Sequence, residues 1–266
     1  MSYEFTHARV VERLEQLRLG NVSTRLDALL SDAAKDDMTY LDFLDRLLGE
    51  EVDAKQRKRV AMGITIAHFP MTRTLADFDF GFQPTVDQKL VRELATGRFV
   101  AHYENVLLFG PPGVGKTHLA IGLGRAVVEA GHSVLFTSAT ALIAALAKAA
   151  SEGGLADKLT YFAKPKLLIV DELGYLPFER QSAHLFFQLV ARRYEKGSML
   201  LTTNKPVTQW GAVFGDDVVA AAILDRLLHH SHALAIQGES FRLRAKKKAG
   251  LLRIANNPKT TTGGQF

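Results

Sequence analysis

Residues 106–117, VLLFGPPGVGKT, constrain this chain more than any other stretch: four apolar strand formers run into a glycine-rich turn that ends in a lysine and a threonine. Gly110, Gly115, Lys116 and Thr117 satisfy the phosphate-loop pattern of Gly, four residues, Gly-Lys-Ser/Thr. The glycines let successive backbone N–H groups turn inward without a Cβ clash, making an anion nest at the start of a helix whose dipole also favours phosphate. Lys116 then reaches the β- and γ-phosphates, and the Thr117 hydroxyl holds Mg²⁺. The required setting is present: Val106 to Phe109 reads as a buried strand and His118 to Ala130 as a helix ended by Gly131. The expected nucleotide-binding stretch is Gly110, Pro111, Pro112, Gly113, Val114, Gly115, Lys116, Thr117 and His118.

Downstream, strands and helices alternate. Ser133 to Thr137 reads as a second strand, Ala139 to Ala150 as an alanine-rich helix, and Leu167 to Val170 as a third strand running into Asp171 and Glu172. Gln181 to Glu195 reads as a helix, Met199 to Thr203 as a strand ending in Asn204, Val218 to Leu228 as a helix, and Ala233 to Ile236 as a fifth strand. This order predicts an α/β fold with a parallel five-stranded sheet flanked by helices. Ligands of such sheets bind beyond the carboxyl ends of the strands, where the phosphate loop, Asp171, Glu172 and Asn204 all fall.

Upstream, residues 1–70 read as a small all-helical domain closed by Pro70. Val10, Val11, Leu14, Leu17 and Leu19 recur at helical spacing, Leu26, Leu29 and Leu30 resume a helical face, and a third segment, Tyr40 to Leu48, carries Leu41, Leu44, Leu47 and Leu48 on one side. Lys55, Arg57, Lys58 and Arg59 then read either as a solvated face balanced by Glu50, Glu51 and Asp53 or as a phosphate-contacting patch. The linker LADFDFGFQP alternates Phe78, Phe80 and Phe82, so an extended segment has one aromatic side; it reads as core packing, or in part as a contact to the adenine. The nucleotide-binding α/β domain is expected over 71–245, followed by a basic tail over 246–266 that is expected to be disordered. The net charge of +5 sits in that end: seven basic and no acidic residues follow from Ser240 onward, so the other 239 carry −2. Such an end either binds phosphate backbone or is simply solvated. No apolar run approaches the ~18 residues that cross a bilayer, no signal peptide is evident, and the absence of cysteine suits a reducing cytoplasm.

Phosphoryl transfer to water needs a cradle, a metal, a positioned water and neutralised γ-phosphate charge. Asp171 is the expected Mg²⁺ carboxylate, Glu172 the general base, and Asn204 the group that orients the water or senses the γ-phosphate. Guanine specificity is disfavoured, because Asn204 and Lys205 are followed by Pro206 and Val207 rather than by a carboxylate. A small-molecule kinase has little use for Glu172 beside the metal aspartate, so ATP hydrolysis is expected.

GPPGVGKTHLA, LLIVDELGYLP, LTTNKP, ILDRLLH and SFRLR, in this order, together with the FDFGFQP linker, resemble the IstB family of ATP-dependent insertion-sequence transposition helpers. That family is similar to the DnaC helicase loaders within the AAA+ ATPases. The resemblance runs from about residue 5 to 245. It implies an AAA+ domain with a reduced lid, since about thirty residues follow the last strand. It also implies an ATP-bridged homo-oligomer with Arg226 as an arginine finger supplied in trans, Arg192 or Arg193 being reserve candidates. Arg242, or alternatively Arg244, corresponds to the sensor-2 arginine. Implied partners are double-stranded DNA, contacted through an insertion bearing Lys148, Lys158, Lys164 and Lys166, and a cognate transposase. A DnaC-like helicase loader and a non-hydrolysing DNA-coating scaffold are the rival readings.

Overall fold

The computed structural model describes residues 2–175, 178–241 and 243–244, which form two compact units, Met1–Thr65 and a second beginning at Ile66. The first contains α1 (Ser2–Gln16), α2 (Gly20–Lys35) and most of α3 (Tyr40–Ile66). Its core is Leu14, Val22, Leu26, Leu29 and Leu47, with Val10, Val11, Leu19, Leu30 and Phe43 packed against it. Thr39 caps the start of α3: its hydroxyl donates to Asp42 Oδ2 at 2.6 Å and accepts the Asp42 N–H at 3.2 Å.

Two expectations for this unit need correction. The third helix does not stop at Leu48 but continues to Ile66, because residues 50–62 are mostly good helix formers and Gly49 costs a helix only about 1 kcal/mol. Of its expected apolar face only Leu47 is buried; Leu41, Leu44 and Leu48 remain exposed, as does Leu17 in the turn after α1. The longer α3 allows the buried Glu51 to accept the N–H groups of Asn21 and Val22, both at 3.0 Å, at the start of α2. Glu51 thus satisfies amides that a helix N-terminus leaves unpaired.

The second unit runs α4 (Gln88–Ala95), α5 (Arg98–Ala101), β1 (Asn105–Phe109), α6 (Lys116–Glu129), β2 (Val134–Ser138), α7 (Ala139–Ser151), α8 (Leu155–Ala163), β3 (Leu167–Leu173), α9 (Arg180–Arg193), β4 (Ser198–Thr203), a 3₁₀ turn at Val207–Gln209, α10 (Trp210–Phe214), α11 (Asp217–Leu228) and β5 (Ser231–Ala235). All neighbouring strands are parallel, in the order β2-β3-β4-β1-β5. Near-continuous apolar strands such as Leu167 to Val170 fit a sheet covered on both faces. Sequence periodicity missed α8, α5 and α10, short helices whose length gives little signal.

The sheet's order also distributes the chemistry. Central β3, β4 and β1 end together at the carboxyl edge, whereas α11 returns the chain to the amino edge before β5.

Candidate nucleotide-binding site

The phosphate loop leaves β1 at Gly110 and enters α6 at Lys116. Gly113 and Gly115 have φ of +84° and +101°, left-handed conformations that side chains rarely adopt. A Cβ on Gly115 would also lie 2.7 Å from Phe78, so the linker packs directly on the loop. Lys116 Nζ curls back to donate to Gly110 O and Pro111 O, both at 2.8 Å. His118 Nε2 lies 2.8 Å from Thr74 O, and its ring meets that of Phe78 edge-on at 5.3 Å.

The aromatic linker is a string of turns rather than the expected extended segment. Thr74 donates through its amide and hydroxyl to Asp77, and Phe82 N donates to Asp79 Oδ1 at 2.9 Å. These short side-chain bonds favour turns over strand. The Thr74 hydroxyl, and then its amide, hold the Asp77 carboxyl below its ordinary range. Phe78 is buried, and Phe82 meets Phe241 edge-on at 5.4 Å. Phe241 N donates to Gly113 O at 3.0 Å, bringing the segment after β5 onto the loop. Linker, loop and this last segment surround a cleft of about 420 Å³, lined also by Lys116, Thr117, Glu172, Thr202 and Asn204.

A bulge builds the acidic end of the cleft. Val170 pairs with Leu201 and Leu173 with Thr203, so Asp171 and Glu172 stand opposite the single residue Thr202. Regular strand alternation would send the two carboxylates to opposite faces. Instead Glu172 adopts φ +62°. Thr202, buried to 1% exposure, holds both residues in place. Its hydroxyl donates to Asp171 Oδ1 at 2.5 Å and accepts the Glu172 N–H at 2.9 Å. Sequence reasoning misses this residue, whose only local signal is a hydroxyl where the apolar run of β4 ends.

Asp171 is buried and receives the Thr117 hydroxyl at 3.0 Å to each carboxylate oxygen, whereas Glu172 is exposed to the cleft. This hydroxyl and carboxylate are the hard oxygen donors that Mg²⁺ prefers, so Thr117 and Asp171 would hold that ion. Asn204 lines the same cleft, and its buried Oδ1 has no hydrogen-bond partner among the described residues, which fits an acceptor awaiting a bound donor.

The structure therefore brings together Lys116, Thr117, Asp171, Glu172 and Asn204, and keeps Arg226 apart. Arg226 lies in the last turn of α11 at the amino edge of the sheet, donating to Ala222 O at 2.9 Å and lying 4.9 Å from the centre of the Phe187 ring. Arg193 is not available as a finger, because it is buried to 1% exposure. Its guanidinium donates to the carbonyls of Phe162, Ala163, Pro165, Lys166 and Ser198. Burial pushes it down to about 10, still charged at neutral pH. Arg192 is exposed. Arg242 and the tail over 246–266 lie outside the described residues, as do Leu176 and Pro177 of the DELGYLP block; Arg244 stacks over Phe82, 4.6 Å from its ring centre. Among the lysines of the insertion, Lys148 pairs with Glu152 at 3.8 Å and Lys158 lies 4.8 Å from the centre of the Tyr161 ring.

Residues 12–249 match the family model described as IstB-like ATP binding protein. The chain is 49% identical over 245 residues to an ATP-binding protein of insertion sequence IS21 from Pseudomonas aeruginosa, covering 92% of each chain. It is 43% identical to one of insertion sequence IS5376 from Geobacillus stearothermophilus, covering 90% of this chain and 95% of the relative. Among solved structures, a DNA replication initiation factor superposes with a TM-score of 0.54 at 21% identity, over 67% of this chain and 54% of that one. The chain thus spans about half of that structure's length, and the likeness concerns the fold.

Proposed function

We propose, from the premise that this chain belongs to the family of IstB-like ATP-binding proteins, that it is a Mg²⁺-dependent ATPase acting as a transposition helper on duplex DNA. The observation that carries the reading is the convergence of Lys116, Thr117, Glu172 and Asn204 at one cleft, with the buried Asp171 bound to Thr117 behind it. A protein that only held ATP would need Lys116, Thr117 and Asp171; the exposed Glu172, held out of regular strand geometry, adds a base.

In this mechanism Lys116 exchanges its two loop carbonyls for phosphate oxygens, while the loop amides receive the rest of the phosphate charge. Thr117 and Asp171 would hold the Mg²⁺, which when bound would supply neutralisation of phosphate charge. Glu172 accepts the proton of the attacking water, and the Asn204 amide oxygen accepts a hydrogen bond that orients it. Arg226 completes the site of a neighbouring copy, so turnover requires assembly. The helical unit Met1–Thr65 and the lysine-bearing insertion contact DNA or a cognate transposase.

The test is ATP turnover with duplex and with single-stranded DNA, followed alongside particle size by light scattering. Turnover and growth that need duplex support the helper. Turnover on single strands alone points to a helicase loader, and binding without turnover to a scaffold. Mixing Arg226→Ala with Lys116→Ala tests the trans arrangement: each alone is inactive, and the mixture regains turnover only if one copy's arginine serves the other's intact phosphate loop.

A further inference from the structure

We propose that Glu195, His229 and His230 form a binding site for a first-row divalent transition metal of the zinc and nickel class, separate from the nucleotide cleft. One ligand atom of each side chain lies within 4.8 Å of the other two, and all three residues are exposed. Two imidazoles and a carboxylate are a borderline donor set that suits Zn²⁺ or Ni²⁺ better than Mg²⁺ or Ca²⁺. Metal–ligand distances of about 2.0–2.2 Å need the donors closer than this upper bound. Rotation of exposed side chains supplies that movement without displacing backbone.

The backbones carrying the three residues are already fixed. His229 caps α11 with its N–H on Asp225 O at 3.2 Å, and His230 O accepts the N–H of Asn105, the first residue of β1, at 2.8 Å. Glu195 lies in the turn after α9, where Lys196 N and Gly197 N both donate to Arg193 O, at 2.9 and 3.0 Å. The Arg193 side chain locks that turn to five carbonyls. Glu195 itself has φ +54°, a conformation that glycine would take without strain. His229 Nδ1 lies 2.9 Å from the Tyr194 hydroxyl, an outer partner that orients the ring and leaves Nε2 to bind metal. The ion would clamp the end of α9 to the end of α11, three residues beyond Arg226. Three protein ligands leave at least one coordination position to water.

The experiment titrates the full chain with Zn²⁺ and, separately, Ni²⁺ in competition with a chromophoric chelator, and follows thermal unfolding with and without the ion. One ion per chain and a raised unfolding midpoint are expected. Glu195→Gln, and His229→Ala combined with His230→Ala, weaken binding by about tenfold or more and abolish the shift in midpoint. His232→Ala, whose ring pairs instead with Glu104 at 2.9 Å, leaves binding unchanged. Trp210 emission and ATP binding verify that each variant is folded, and Glu195→Gln decides the matter if the double variant is not. A wild-type chain that takes no ion from the chelator, or variants that bind as wild type does, would overturn the proposal.

Discussion

Thr202→Val replaces one hydroxyl by a methyl group of nearly the same shape, so it removes hydrogen bonds without opening a cavity. The buried hydroxyl donates to the Asp171 carboxylate at 2.5 Å and accepts the Glu172 N–H at 2.9 Å. Losing a bond to a charged group costs about 1.5–3 kcal/mol, and leaving the part-buried Glu172 amide without its partner about 1–3 kcal/mol. A destabilisation of about 3–5 kcal/mol is therefore expected. Trp210 is the only tryptophan and is buried in the second unit, so its fluorescence during urea unfolding reports on that unit selectively. The same hydrogen bond keeps Glu172 at φ +62°, a conformation costing roughly 1–2 kcal/mol for a residue with a Cβ. Without it the strand can relax toward regular alternation, turning Glu172 from the cleft. Turnover should fall by about 100-fold with ATP affinity changed far less, and Thr202→Ser, which restores the hydroxyl, should recover most of both losses. A Thr202→Val protein that loses under about 1 kcal/mol and turns over normally would refute the assignment of the bulge to this hydroxyl.

Glu172→Gln should bind ATP and lose about 100-fold or more in phosphate release; unchanged release would remove Glu172 as the base. Arg193→Met should destabilise the second unit by about 3 kcal/mol or more, since five carbonyls lose their donor, and Arg193→Lys should not rescue it because an ammonium has only three N–H donors. Urea unfolding measures both variants, and a rescue by lysine would contradict the fork geometry. Asp216 caps α11 through the Val219 and Val218 amides, which hold its carboxyl below the ordinary value of 3.8. Its folded value is the lower one, so its contribution to stability is present above pH 3.8 and is lost as pH falls through the folded value. Thermal unfolding of Asp216→Asn should lose that part of the acid dependence. Arg57, Lys58 and Arg59 are exposed on α3 with no carboxylate partner among the described residues, Glu50 being paired with Arg25 and Glu51 with Lys55. If they contact phosphates, changing all three to alanine should flatten the log–log salt dependence of duplex binding by about 3; an unchanged slope would leave them as a solvated face.

How much of this was legible in advance follows from the range of each signal. The phosphate loop, the five strands and the acidic pair repeat at local spacings of a few residues, so periodicity and glycine placement were enough to read the α/β class and the sheet's ligand edge. Local spacing ends the third helix at Leu48, whereas it runs to Ile66, because helix propensity is a weak guide beside tertiary packing, which lets Glu51 reach α2.

What the sequence determined by itself is the set of groups that can meet phosphate: Lys116, Thr117, Asp171 and Glu172 stand at strand ends or loop positions fixed by a few neighbouring residues. Tertiary structure alone decided which of them face one cleft and which arginines remain available. Thr202 sits 30 residues from Glu172 yet sets its backbone, and Arg193 and Arg192 are adjacent in sequence but only Arg193 is buried among carbonyls. Strand pairing and burial are made between distant segments, and local spacing carries no record of which residue a fold will place opposite another.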